Sequence, residues 1–235
     1  MADTERQTVN AQTQRLASLG FMVAGVCHEV SNPLAAVHSM LQILRSKRGV
    51  SPETLEKGLA SIEANVARVL EITRKLGDFS RVAGEARAAL AVDEAVEAAI
   101  ALLRDSPYGQ AVAVEYRGAP GAAVRARPGE LVQIVFNILL NAAQAMHGAG
   151  RIDARARLEG ARIELEFRDS GPGIAPEHLM RVFDPFFTTK QPGEGTGLGL
   201  AIANEIVHEL GGSIRARNAP DGGACFEIVL PGETP

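Results

Sequence analysis

Tryptophan is absent, and aromatic residues make up only 4% of the 235-residue chain. Cysteine is limited to Cys27 and Cys225. They lie far apart, give no disulfide framework and show no metal-ligand spacing. No apolar run approaches the ~20 residues that a membrane-spanning helix requires. The polar start, Met1 to Arg15, lacks the pattern of a signal peptide, so a cytoplasmic location is expected. A basic excess is missing too. The net charge is −4, with nine basic and eight acidic residues up to residue 80, then fifteen and twenty beyond it. Neither part carries the footprint of a nucleic-acid binder or of a lipid-surface binder. What remains is a chain 46% apolar and 22% charged, which reads as soluble, globular and helix-rich. Its length suits one large domain or two modest ones.

Two hydrophobic periods divide the chain. From about Gln12 to Phe79 apolar residues recur at three-four spacing. Leu16, Leu19, Val23, Val26, Val30, Leu34, Val37, Leu41 and Leu44 form one series, and Leu55, Leu59, Ile62, Val66, Val69, Leu76 and Phe79 a second. Each is a heptad seam on a long helix. Between them Gly49 supplies a stop, Ser51 an N-cap and Pro52 a first helical residue. Such a hairpin buries a narrow seam on one side only. It is short of core unless it doubles into a four-helix bundle or packs on the rest of the chain. Ala83–Ala86 reads as a linker. Beyond it, helical patterns at Val92–Leu103, Glu130–Met146 and Leu198–Leu210 alternate with short strands. The strand candidates are Val112–Tyr116, Ala122–Arg125, Arg151–Leu158, Arg162–Arg168, Gly212–Arg217 and Ala224–Leu230. The fold class is α+β, a helical hairpin followed by a two-layer α/β sandwich on a mixed sheet. The proline-bearing tail Pro231–Pro235 is expected to be disordered.

The hairpin carries Cys27-His28-Glu29-Val30-Ser31-Asn32-Pro33-Leu34. With Val23, Val26 and Val30 on the seam, His28 falls on the outer face, where another domain can reach its imidazole. A ring nitrogen is free there as a nucleophile near neutrality. Glu29 can orient the ring and accept a proton. Asn32 lies one turn along the same face. Pro33 should bend the rod. A surface histidine beside a glutamate is more often just a solvated face. Cys27 beside His28 is read as a small helix residue rather than a redox switch.

Four further segments carry chemistry. In Asn137-Ile138-Leu139-Leu140-Asn141-Ala142-Ala143-Gln144, two asparagines share one face of an apolar helix. They form a buried amide network or offer a carboxamide oxygen to Mg²⁺. Asp169-Ser170-Gly171-Pro172-Gly173-Ile174 closes a strand. It is either an ordinary turn or an acceptor for an exocyclic amine, with glycines that permit close approach. Phe183-Asp184-Pro185-Phe186-Phe187-Thr188-Thr189-Lys190 gives an apolar anchor and a lysine that can reach phosphate. Gly193-Glu194-Gly195-Thr196-Gly197-Leu198-Gly199-Leu200 runs into a helix whose N-terminal amides suit phosphate. The run lacks the spacing and preceding strand of a dinucleotide fingerprint, and no Walker P-loop occurs.

Taken in order, HExxNP, NxxxN, DxGxG, FxPF and GxGxGL resemble the motifs of the sensor histidine kinases of two-component systems. The second half resembles the ATP-binding fold of the GHKL superfamily, shared with gyrase, the heat-shock chaperone ATPases and the mismatch-repair family. The resemblance covers about Leu16 to Leu230. It implies a dimerisation and histidine phosphotransfer hairpin at residues 1–82 and a catalytic ATP-binding domain at 83–235, with ATP and Mg²⁺ as the bound species. His28 then matches the phosphoacceptor and Glu29 the acceptor of its proton. Asn32 matches the position that orients water when such proteins dephosphorylate their partner. Asn141 matches the Mg²⁺ ligand, with Asn137 one turn before it. Asp169 matches the acceptor for the adenine amine, and Gly171 and Gly173 let the base enter. Phe183 to Thr196 form a lid, and Gly195, Thr196, Gly197, Leu198 and Gly199 form its phosphate-binding end. Many relatives carry a cation where this chain has Gln144, which shifts the expected phosphate contact to Lys190.

The implied partners are a second copy of the chain and the receiver domain of a response regulator. Segments 185–190 and 141–146 resemble the nitrogen- and dicarboxylate-sensing branch. Two rival readings are a GHKL ATPase or protein-serine kinase whose hairpin only dimerises, and a degenerate kinase that acts as a scaffold. No sensor domain is recognisable before Gln12, so either a longer chain carries it or the signal arrives through another protein or the N-terminal helix.

Overall fold

The computed structural model describes residues 30–45, 51–81, 86–190 and 197–233, with the backbone alone for 68 and 70–81. The chain divides into two compact units, Met1–Ser80 and Arg81–Pro235. No helix among the described residues is long and apolar enough to cross a membrane.

In the first unit, residues 30–45 are helical (α1) and α2 spans Pro52–Arg81. The start of α2 follows its sequence. Ser51 Oγ accepts the Thr54 N–H at 3.2 Å, Pro52 is the first helical residue, and Leu55 N donates to Ser51 O at 3.0 Å. A serine cap satisfies an otherwise orphaned amide. Contact between the helices is close at Gly58, where an added Cβ would lie 3.1 Å from Leu44. Pro33 and Gly58 are buried, yet Leu34, Leu41, Leu55, Leu59 and Val66 stay 41–54% exposed. The hairpin therefore covers one stripe and leaves a second apolar stripe bare.

The second unit is a helix layer on one sheet. Its elements are β1 (Ala88–Ala91), α3 (Val92–Asp105), β2 (Ala111–Arg117), β3 (Ala123–Ala126), α4 (Glu130–Ala145), β4 (Ala149–Glu159), β5 (Arg162–Asp169), a 3₁₀ turn (Pro176–His178), α5 (Gly199–Glu209), β6 (Ser213–Asn218) and β7 (Ala224–Pro231). The five-stranded sheet has the order β2-β4-β5-β7-β6. Only β2 and β4 pair in parallel. Alternation sends Ile152, Ala154, Ala156, Ile163, Leu165, Phe167, Phe226, Ile228 and Leu230 into the core. Above them lie the apolar faces of α3, α4 and α5. The opposite sheet face is charged, and Arg217 bridges Glu227 at 2.6 Å and Glu166 at 3.2 Å.

Two features depart from expectation. Ala88–Ala91 is a strand paired with β3, although its alanine-rich sequence favours helix; pairing outweighs propensity there. The tail is not loose as far as Glu233. Gly232 N donates to Ala161 O and Glu233 N to Ala123 O, both at 2.8 Å, and the Glu233 carboxylate meets Arg125 at 2.7 Å. The tail thereby ties β7 to the small β1–β3 sheet.

One buried acid fixes the entry to α4. Glu130 is fully buried, and its carboxylate accepts the Arg127 backbone N–H at 2.7 Å and the Arg127 guanidinium at 2.9 Å. Arg127 also lies 3.6 Å from Glu209 at the end of α5. Glu130→Ala leaves a donor and a cation without their acceptor, so about 2–3 kcal/mol should be lost, or roughly 5–10 °C in Tm. A thermal melt that moves by less than about 2 °C would contradict this.

Candidate functional site

Helix α4 is the wall on which the sequence-predicted residues converge. Leu131, Ile134, Val135, Ile138, Leu139, Ala142 and Ala143 bury it against its neighbours. Asn137, Asn141 and Gln144 fall at i, i+4 and i+7, hence on one face, and all three are half-buried. Each of two turns meets a different segment. At the first, a side chain at Gly199 would stand 3.5 Å from Asn137 Oδ1, so the start of α5 abuts this asparagine. At the last, the Lys190 ammonium donates to Gln144 Oε1. Just beyond the helix, a Cβ at Gly171 would lie 3.2 Å from Met146 Cγ.

The turn after β5 is built around one carboxylate. Asp169 is 5% exposed, and its Oδ1 accepts Gly171 N at 2.8 Å and Ala224 N at 3.0 Å. Burial pushes its carboxyl above the ordinary range, while the two backbone N–H groups pull the other way. Both bonds end on Oδ1. The turn is also clamped by Asn218, whose Oδ1 accepts Ile174 N and whose Nδ2 donates to Ile174 O, each at 2.7 Å. Gly173 packs against this clamp with φ +78°, and an added Cβ would lie 2.8 Å from Asn218 Oδ1.

The phenylalanine segment is anchored as its composition implies. Phe183 meets Phe226 of the core edge-on at 6.3 Å. Phe187 lies against His178 at 5.2 Å and under the Arg181 guanidinium at 4.5 Å. Phe186 N donates to Gly197 O at 3.1 Å, and Phe186 takes the uncommon φ of +65°. A Cβ at Gly197 would sit 2.4 Å from the Phe186 carbonyl carbon. Residues 186 and 197 are thus stitched together across ten intervening positions. Lys190 has its N–H bonded to Thr188 Oγ1 at 3.2 Å.

The structure therefore brings Asn137, Asn141, Asp169, Gly171, Gly173, Lys190, Gly197, Leu198 and Gly199 to α4 and its surrounding loops. His28, Glu29, Gly195 and Thr196 lie outside the described residues. Asn32 is exposed on α1 in the separate first unit. Three participants escaped the motif reading: Gln144 as a partner of Lys190, Met146 as the floor under Gly171, and Asn218 as the clamp. All three act across long sequence separations that no local pattern announces. Asn137 Nδ2 is buried without a hydrogen-bond partner. Such donors are rare and ask for a ligand or water. Cys225 is buried, and burial pushes its thiol up to about 11, which makes it a packing residue and not a nucleophile.

Two family models match the chain in tandem. The His Kinase A (phospho-acceptor) domain matches residues 18–85, and the histidine kinase-, DNA gyrase B- and HSP90-like ATPase matches residues 126–234. The two-component sensor PprA of Pseudomonas aeruginosa is 38% identical over 94% of this chain and 25% of its own length. The C4-dicarboxylate transport sensor protein DctB of Rhizobium meliloti is 36% identical over 93% of this chain and 35% of its own length. The chain thus spans about a quarter to a third of these relatives. The crystal structure of histidine kinase ThkA in complex with response regulator protein TrrA matches 97% of this chain and 66% of that chain with a TM-score of 0.73 at 24% identity, a likeness of fold.

Asp169→Asn keeps an oxygen for both backbone N–H groups and removes a buried ionisation. A carboxyl with a raised folded pKa costs stability once ionised, and that cost fades as pH falls through its titration range. The variant should melt at or above the wild-type temperature at pH 7, with the advantage shrinking on acidification. A Tm several degrees lower at pH 7 would overturn this account.

Proposed function

The chain belongs to the histidine kinase family through its tandem phospho-acceptor and ATPase domains, and we propose that it transfers the γ-phosphoryl of ATP to its own His28 and from there to an aspartate in the receiver domain of a response regulator. The observation that carries this reading is the orphaned, buried amide of Asn137 beside the glycine that opens α5. A buried N–H₂ donor and a helix N-terminus together suit an anionic oxygen. The Asp169 turn supplies the other end of the site. Both backbone bonds end on Oδ1, so Oδ2 is the oxygen to accept the adenine amine. Gly171 and Gly173 keep the turn thin enough for the base.

In the transfer, a ring nitrogen of His28 attacks the γ-phosphorus in line. The bond from that phosphorus to the β–γ bridging oxygen breaks, and ADP leaves. Glu29 takes the ring proton. This side of the reading rests on the sequence, since both residues lie outside the described ones. Catalysis of this kind is positioning and charge neutralisation. Lys190 and the amides of Gly195, Thr196, Gly197, Leu198 and Gly199 would meet the phosphates. Mg²⁺ fits the donors present, because Asn141 offers a neutral oxygen and this ion takes few protein ligands beside phosphate and water. When bound, it neutralises charge on the phosphate chain. Asn32, exposed on α1, would orient water in the reverse, dephosphorylating direction. Identity to DctB supports the nitrogen- and dicarboxylate-sensing branch, and use of ATP supports a cytoplasmic location. The solved complex of the fold relative ThkA with a response regulator supports that class of partner.

The bare stripe on the hairpin supports a homodimer, in which two hairpins form a four-helix bundle. Replacing Leu41 and Leu59 together by Glu should convert a dimer to a monomer in light scattering coupled to gel filtration; an unchanged mass would exclude that interface. Radiolabelled ATP tests the chemistry. Wild type should acquire acid-labile, base-stable label and His28→Gln none. Label that persists in the variant refutes the acceptor, and ATP hydrolysis without label in the wild type favours a plain ATPase. Asn141→Ala removes the oxygen and should weaken MgATP binding at least about tenfold; unchanged affinity counts against the metal role.

A further inference from the structure

Helix α4 reads Glu130-Leu-Val-Gln-Ile-Val-Phe-Asn-Ile-Leu-Leu-Asn-Ala-Ala-Gln-Ala145 and contains no lysine or arginine. Its polar strip carries neutral carboxamides at 137, 141 and 144, all half-buried. Helix α5, whose first turn abuts Asn137, has no lysine or arginine either. A phosphate chain laid on this wall needs positive charge that neither helix supplies. Among the described residues a cation is delivered to the wall by Lys190, four residues after Phe186, and its ammonium is bonded to Gln144 Oε1. The Lys190 backbone N–H donates to Thr188 Oγ1, and both partners of the Lys190–Gln144 pair are half-buried.

We propose that Gln144 is a positioning residue: it holds the Lys190 ammonium on α4 so that the loop lysine serves as the cation for the nucleotide's phosphate chain. The inference rests on the nucleotide reading above and deepens it. The carboxamide suits the task. It accepts one N–H without neutralising the ammonium, as a glutamate would, and an ammonium can hold a carbonyl oxygen and a phosphate oxygen together. The pair also joins the loop to the wall, so nucleotide affinity depends on a contact made outside the phosphate-binding glycines.

The test is a double-mutant cycle with rescue, read as ATP affinity of the full chain. Lys190→Met keeps the stem and deletes the charge; it should weaken ATP about tenfold or more. Gln144→Ala keeps the charge and frees the stem; it should weaken ATP less, roughly three- to fivefold. The two losses should not multiply in the double variant, because Gln144 acts only through Lys190. Gln144→Lys in the Lys190→Met background returns a cation to the wall from α4 itself and should restore most of the affinity, which a merely structural role would not allow. Affinity of Lys190→Met within twofold of wild type, multiplying losses, or absence of rescue in a variant with wild-type Tm would each overturn the proposal. A wild-type chain that binds no ATP would instead bring down the nucleotide reading on which the pair depends.

Discussion

Helix α4 must bury an apolar flank between α3, α5 and the sheet, and that single demand arranges everything around it. Seven apolar residues from Leu131 to Ala143 leave one strip for polar side chains, and the strip holds Asn137, Asn141 and Gln144. Neutral amides can sit half-buried at modest cost because each needs only hydrogen bonds, whereas an unpaired charge there would cost far more. The helix is in turn held at its first turn by the fully buried Glu130 with Arg127. The wall is therefore fixed at its first turn by contacts that involve no ligand, which suits a site that works by positioning.

Close approach of backbone explains the glycines that matter most. A Cβ at Gly223 would lie only 1.8 Å from Asp169 O, so β7 can run beside the Asp169 turn only with glycine there. That closeness lets Ala224 N reach Asp169 Oδ1. Gly197 plays the matching part at the other rim, where a side chain would strike the Phe186 backbone. Phe186 itself is held at a positive φ. Non-glycine residues in that region cost of order 1–3 kcal/mol and persist where surrounding contacts over-determine them. Here the contacts are Phe183 on Phe226 and Phe187 under Arg181.

Much of this was readable beforehand. The three helices and six strands anticipated after residue 90 appear within a residue or two of their expected bounds, because period-2 and period-3.6 patterns are strong in this half. Ser51 and Pro52 open α2 as their chemistry dictates. Ala88–Ala91 was invisible, since four residues of alanine and leucine carry no alternation and their pairing with β3 is a non-local event. The ordered tail failed for the same reason: Gly232 and Glu233 are fixed by Ala161 and Ala123, distant in sequence. Asp169, Gly171 and Lys190 were legible as chemistry, yet the atoms they meet were not. Motif spacing locates a carboxylate at a strand end but cannot say that Ala224 takes the same oxygen as Gly171, or that Gln144 receives the lysine.

The distribution of charge has a consequence for how metal and nucleotide would be coupled. Among the described residues the group dense enough in ligating atoms to attract a metal by itself is Glu166, Cys225 and Glu227, on the charged sheet face remote from the α4 wall. Arg217 bonds both of its carboxylates and offsets part of their charge. The α4 wall offers carboxamide oxygens, which bind a hard dication weakly without anionic help. Mg²⁺ would therefore enter this wall together with phosphate oxygens rather than before them. By linkage, each would raise the affinity of the other by the same factor. Lys190 meets this wall through the Gln144 carboxamide, a neutral acceptor, where a carboxylate would add negative charge. In the proposed site, a wall of amides with a cation on the adjoining segment would draw its positive charge from outside the helix instead of storing it there.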